Sequence, residues 1–294
     1  MYDVIIIGAG PAGITASLYT RRANLNVSVL YKGISNIEKA EKIDNYYGFP
    51  NGIIGQELYK NGIEQAKNLG VDVKEVEVTG IENDANSFKV NTVNGSYNGK
   101  TVIIATGNKK VTPNIKGIKE YEGKGISYCA ICDAFFYRGK NIAIIGNGEF
   151  AISEANTLKN VTDKIVILTN GEELKNKETE FEFNTSKIKE ITGDGKVTGI
   201  IFEDGSKVDI EGRFIALGEA GANDFAKTLG IITDGDNIKT NDNMETNIKG
   251  LYACGNTTGG LLQVCKAGYE GAVAGLSAIN YIKNANRKDD KNDK

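Results

Sequence analysis

Hydrophobic positions along the chain gather into short continuous runs. Val4-Ile5-Ile6-Ile7 comes first, followed by Val27-Ser28-Val29-Leu30, residues 101–105, Ile142-Ala143-Ile144-Ile145, Ile165-Val166-Ile167-Leu168 and Gly250-Leu251-Tyr252-Ala253-Cys254. Apolar runs of this length, bounded by turn residues, predict strands buried on both faces of a parallel sheet. Two of them lead into a glycine turn and a helix-like stretch: Gly8-Ala9-Gly10-Pro11-Ala12-Gly13 and Gly146-Asn147-Gly148-Glu149-Phe150-Ala151. A second apolar strand follows each helix. Strand, glycine turn, helix and strand open a doubly wound sheet, so the repeat predicts an α/β protein with two Rossmann-like, three-layer domains.

The order of the remaining signals predicts that the second domain is inserted into the first. Residues 109–117 read as a linker containing Pro113 and Gly117, and a second crossing falls at 217–222. From Lys249 the strand, loop and helix pattern returns, with a helix beginning near Gln263. These breaks assign residues 1–111 and 219–294 to one domain and 112–218 to the other. Residues 284–294 form a charged tail that is predicted to fray.

Composition removes several classes of function. The chain has 294 residues, 40% hydrophobic and 25% charged, an ordinary globular balance. A net charge of −3 supplies no basic field for nucleic acid. No apolar run approaches the roughly 18 residues of a membrane span, and the N-terminus lacks the features of a secretory signal. A cytoplasmic protein is predicted. His is absent, which excludes imidazole catalysis and His-ligated metals. Of the four cysteines, Cys129 and Cys132 have CxxC spacing, which favours redox chemistry over a structural staple. Cys254 and Cys265 lack zinc-knuckle spacing, so no metal site is predicted.

Two segments carry the candidate chemistry. In Gly8-x-Gly10-x-x-Gly13, Gly8 permits a tight turn, Gly10 lets backbone approach a pyrophosphate, and Gly13 allows close packing of helix on strand. The acidic residue that usually ends the second strand is missing; Leu30 is followed by Tyr31-Lys32-Gly33. In Cys129-Ala130-Ile131-Cys132-Asp133, the spacing closes a small, readily exchanged disulfide. Asp133 is the best available acid–base group beside it.

Together these segments resemble the low-molecular-weight thioredoxin reductases, flavoprotein disulfide reductases whose CxxC lies in the inserted domain. The resemblance spans essentially the whole chain and includes Ile43-Asp44-Asn45-Tyr46-Tyr47-Gly48, Ala105-Thr106-Gly107 and residues 250–263. It implies FAD held by Gly8, Gly10, Pro11, Ala12, Gly13, Asn45, Val78, Ala105, Thr106, Gly107, Gly255, Asn256, Gln263 and Val264. It further implies that Cys132 faces the flavin, Cys129 attacks the disulfide of a thioredoxin-like partner, and Asp133 moves protons. Homodimers are the family habit.

The chain departs from the family in two places. Where the family follows the second domain's next strand with an Arg cluster for a 2′-phosphate, Leu168 is followed by Thr169-Asn170-Gly171-Glu172-Glu173. Phe150 replaces a small polar residue beside the pyrophosphate. NADPH use is therefore disfavoured. Gly146, Gly148, Glu149, Phe150 and Ala151 then form either a vestige or a candidate site for another dinucleotide, such as a second flavin. Members of the wider family take electrons from ferredoxin or another flavoprotein, and this chain resembles those. The second departure is Cys254-Gly255-Asn256 with Leu262 before Gln263, which makes Cys254 and Cys265 a candidate second redox pair or small buried hydrophobes. The competing expectations are an ordinary NAD(P)H-dependent thioredoxin reductase and a non-catalytic flavin sensor.

Overall fold

The computed structural model describes residues 1–292 except 34, 85–86, 108–114, 122–123, 128–129, 177, 218–220 and 236; at 36, 39, 131–132, 223 and 286–292 it describes backbone alone. The first apolar run becomes β1 (Tyr2–Ile7), whose last four residues are buried. The turn after it leads into α1 (Pro11–Arg22), β2 (Val27–Tyr31), α2 (Gly55–Asn68) and β3 (Asp72–Glu75). A hairpin follows, β4 (Val78–Asp84) and β5 (Ser87–Thr92), and then the 10-residue β6 (Gly95–Ile104). β6 belongs to three ladders, the third formed with a later strand. Its first half pairs antiparallel with β5, Thr92 opposite Gly95, while its second half runs parallel to β1, Ile5 opposite Val102.

The middle of the chain supplies β7 (Ile126–Ser127), α3 (Ala130–Asp133), β8 (Ile142–Ile145), α4 (Glu149–Leu158), β9 (Ile165–Leu168) and β10 (Glu182–Asn184). After these come β11 (Ile188–Asp194), β12 (Lys196–Phe202), β13 (Lys207–Asp209) and β14 (Gly212–Ile215). β10, β9, β8, β14 and β7 form a parallel sheet in that order, and β11, β12 and β13 a separate antiparallel one. One apolar cluster joins the two sheets, with Ile126, Ala143, Ile145 and Leu168 meeting Ile188, Ile191, Ile200 and Phe202.

The chain then returns through α5 (Ala222–Leu229), β15 (Thr233–Asp234), β16 (Asn237–Ile238) and β17 (Leu251–Ala253) to α6 (Val264–Asn292). β17 lies parallel to β6, Tyr252 opposite Ile103, and completes the layer begun by β3, β2 and β1. Small residues let α6 lie close on α1: a Cβ at Gly271 would overlap the backbone of Ala12, and Gly275 meets Ala16. The last segment corrects one expectation. The chain does not leave the helix at residue 284 but continues in α6 to Asn292; no Gly or Pro follows Gly275, and an established helix propagates cheaply through Lys, Asn and Ala.

The chain is thus a mixed α/β protein of two Rossmann-like units. Met1–Lys109 with Gly221–Lys294 make the first and Lys110–Ala220 the second. No helix among the described residues is long and apolar enough to cross a membrane.

Candidate functional site

In the first unit the glycine turn is fixed from both sides. Gly8 donates its amide to Leu30 O at 2.8 Å, and Ala105 donates to Ile7 O at 2.8 Å, tying the turn to β2 and β6. Gly8 has φ +114°, and a Cβ there would overlap the carbonyl of Ala105. A Cβ at Gly13 would overlap the Gly8 carbonyl, so α1 can lie this close to β1 only with glycine at that position. Gly10 differs from both. Among the described residues, the Cβ direction there meets only the Ser35 hydroxyl within 4 Å, at 3.7 Å. α1 begins with Pro11 at its first turn, no side chain caps it, and no acidic residue lies in that turn. Uncapped amides, a helix dipole and an open backbone are what a pyrophosphate requires. The residues therefore fit the diphosphate of a dinucleotide.

The other predicted cofactor residues of this unit lie on its loops. Asn45 Nδ2 donates to Gln263 Oε1 at 2.9 Å, bringing together two residues 218 positions apart. Thr257 Oγ1 donates to Gly107 O at 3.4 Å, joining the loop after β17 to the end of β6. Ala12 and Ala105 are buried, Thr106, Asn256 and Val264 are half-buried, and Val78 sits buried at the start of β4 opposite Thr92. Next to Val78, the buried Glu77 carboxylate is paired with Lys32, the residue found after β2 where an acid is usual. Sequence reasoning missed Lys266 and Glu270. They pair four residues apart on α6 at 2.8 Å and bond the backbone of the Gly255 turn. Cys254 and Cys265 are both free thiols. Cys254 is fully buried, and burial, reinforced by the Glu270 carboxylate, pushes its thiol well above the ordinary range; Cys265 is exposed.

In the second unit, Cys129 and the Cys132 side chain lie outside the described residues. Their surroundings are described. Ala130, the first residue of α3, donates its amide to Glu154 Oε2 on α4 at 2.8 Å. Asp133 ends α3 half-buried. Beyond it Phe135 and Phe136 stand 73% and 66% exposed, ring centroids 6.1 Å apart edge to face, with the Arg138 guanidinium 5.7 Å from the Phe135 ring centroid. Tyr137 packs edge to face on Phe214 at 5.4 Å, and its hydroxyl is held protonated by burial and by Asp133, with Arg213 opposing. Arg213, in β14, is fully buried, and among the described residues none of its guanidinium nitrogens has a hydrogen-bond partner.

The second glycine turn repeats the frame of the first. Gly146 donates to Leu168 O at 3.0 Å, Ala216 donates to Ile145 O at 2.8 Å, and a Cβ at Gly146 would overlap the Ala216 carbonyl. Its ligand side is different. Gly148 caps α4, but Glu149 stands in the first turn. The loop after β9 folds back on the turn, Lys175 donating its amide to Asn147 O at 2.9 Å, with Leu174 buried. Phe150, expected beside a pyrophosphate, is only 3% exposed and lies enclosed within the unit.

Comparison with known proteins agrees with this architecture. The family model for pyridine nucleotide-disulphide oxidoreductases matches residues 2–271. The thioredoxin reductase of Listeria monocytogenes is 34% identical over 96% of this chain and 94% of its own length. Among solved structures, the atypical thioredoxin reductase TRi of Desulfovibrio vulgaris Hildenborough is 37% identical with a TM-score of 0.93, covering 97% of this chain and 99% of that one. A ferredoxin-flavin thioredoxin reductase from Clostridium acetobutylicum is 33% identical with a TM-score of 0.75, covering 96% and 98%. The chain belongs to the pyridine nucleotide-disulphide oxidoreductase family and, within it, to the thioredoxin reductases, flavoenzymes that act on a disulfide.

Proposed function

We propose that the enzyme passes reducing equivalents from bound FAD to Cys129 and Cys132, and from them to a thioredoxin-like protein, with an electron donor other than NADPH. FAD, when bound, supplies the two-electron couple. The Cys129 thiolate attacks one sulfur of the partner disulfide, and the released sulfur takes a proton from Asp133. Cys132 then gives its proton to Asp133 and attacks Cys129 in the mixed disulfide; the Cys129–Cys132 bond closes, the bond to the partner breaks, and the second partner sulfur leaves with that proton, freeing the partner as a dithiol. Two electrons and two protons reach the partner. The exposed Phe135–Phe136 pair beside this segment supports protein docking there, since apolar rings are seldom left in water without use.

The observation that carries the doubt about NADPH is the ligand side of the second turn. Glu149 stands at the helix start, Glu172 and Glu173 lie on the following loop, and that loop is bonded to Asn147. No Arg occurs between Arg138 and Arg213, so the loop offers no guanidinium to a 2′-phosphate. Each missing charge-assisted bond is worth about 1.5–3 kcal/mol, and losing two weakens binding by about a hundred-fold or more. The Clostridium relative, named as a ferredoxin-flavin enzyme, supports a small electron-transfer protein as donor.

Anaerobic mixing tests this. Micromolar NADPH and NADH are expected to leave the flavin oxidised, while reduced ferredoxin bleaches it and sustains multiple turnovers on oxidised thioredoxin. Rapid bleaching by NADPH returns the protein to the ordinary reductases. Bleaching without thioredoxin turnover makes it a sensor. Extraction counts flavins: two per chain place a second flavin at Gly146–Ala151, and one leaves that turn vacant of flavin.

A further inference from the structure

Lys266 and Glu270 are poorly explained as a helix-stabilising pair. In an isolated helix the favourable order places Glu before Lys, and here it is reversed. Their side chains are only 15% and 12% exposed, and desolvating two charges costs free energy that their mutual attraction alone does not reliably return. Their hydrogen-bonding capacity is directed at one loop. The Lys266 ammonium donates to Gly255 O at 2.8 Å, Thr258 Oγ1 at 2.9 Å and Gly259 O at 2.6 Å. Glu270 Oε2 accepts from the Gly255 amide at 2.8 Å and from the Thr258 hydroxyl at 2.8 Å. Gly255 is therefore gripped at both its N–H and its C=O.

That grip also sets the loop against the first glycine turn. Gly255 has φ +77°, and a Cβ there would come within 2.8 Å of Ala12 Cβ, in the opening turn of α1. The same loop bonds Gly107 through Thr257. Resting on the reading of this unit as the flavin site, we propose that Lys266 and Glu270 are positioning residues, a buried ion-pair clamp that holds the Gly255–Gly259 loop preformed for FAD. Ordering a five-residue loop costs conformational entropy, and a clamp spares the cofactor that cost at binding.

The diagnostic contrast lies between single and double variants of the full-length enzyme. Lys266→Met or Glu270→Gln alone leaves a buried group without its partner, so each should lower Tm and weaken flavin binding together. The double variant Lys266→Met/Glu270→Met removes both charges. It should recover most of the lost Tm yet still bind FAD about ten-fold or more weakly, measured by titrating apoprotein with FAD. A double variant that binds FAD as tightly as the parent overturns the clamp and leaves an ordinary structural ion pair. Gly10→Val separates that failure from failure of the site itself: full flavin in Gly10→Val means the flavin lies elsewhere, and both ideas fall.

Discussion

The two glycine turns differ less in their frame than in what stands over it. In each, the first glycine donates to the end of the neighbouring strand, Leu30 O or Leu168 O, and the alanine after the next strand, Ala105 or Ala216, bonds the strand's last carbonyl. One leaves the backbone at Gly10 open among the described residues, with no acid in the first helical turn. The other starts its helix with Glu149 and bonds its own loop to Asn147. The frame is a solution to packing a helix on a parallel sheet, and it persists whether or not a phosphate uses it. Ligand chemistry is set by the helix start and the adjoining loop.

The widest separation between the turns should come from matched valines. Both Gly10 and Gly148 have extended backbone that any residue adopts, so neither Gly10→Val nor Gly148→Val forces the backbone out of its conformation. Gly10→Val should fold and lose flavin affinity by about a hundred-fold or more, the worth of two charge-assisted bonds to phosphate. Gly148→Val should keep the flavin content and ferredoxin-driven turnover of the parent. Loss of one flavin equivalent on Gly148→Val would make the turns functionally alike.

Stability separates the units in the opposite direction. Burial holds the Arg213 guanidinium down at about 9, and no hydrogen-bond partner meets it among the described residues. Arg213→Met should therefore stabilise the protein by about 1–4 kcal/mol in denaturant unfolding near pH 7. The pH dependence has a definite sign. Below about 9 both folded and unfolded chains carry the charge and the penalty is complete; as pH rises above 9 the folded chain sheds the proton while the unfolded chain keeps it, and the gap between variant and parent narrows. A gap that is constant across that range would mean the charge is not the source.

The smallest effect belongs to Asn45. Its bond to Gln263 is exposed, so Asn45→Ala should weaken FAD binding by only about 2- to 10-fold in the apoprotein titration.

Much of this was legible in the sequence because local chemistry determined it. The continuous apolar runs became β1, β2, β8 and β9, and the glycine spacings became the two turns. Non-local contacts were not legible. Nothing near Lys266 or Glu270 announces a loop gripped from α6, since the pair reads as surface charge until its burial is seen. Glu154 at the Ala130 amide is equally silent in sequence, being 24 residues away and on another helix. Phe150 shows the converse: a residue assigned to the ligand side by position lies enclosed, because a side chain in the first turn of a helix can face inward.

The discontinuity of the first unit also bears on the order in which the protein is made. β6 leaves the ribosome long before β17, its parallel neighbour, which follows about 150 residues later. At roughly 5–20 residues per second that delay is about 8–30 s. Through that interval one edge of β6 is unpaired and α1 has no α6 to cover Ala12 and Ala16. The second unit is one uninterrupted stretch of chain and is complete before α6 is synthesised. Nascent molecules should thus carry a finished second unit while the first is half-built, so that a ligand of the loops at Gly10 and Gly255 can be enclosed only after the final helix has emerged.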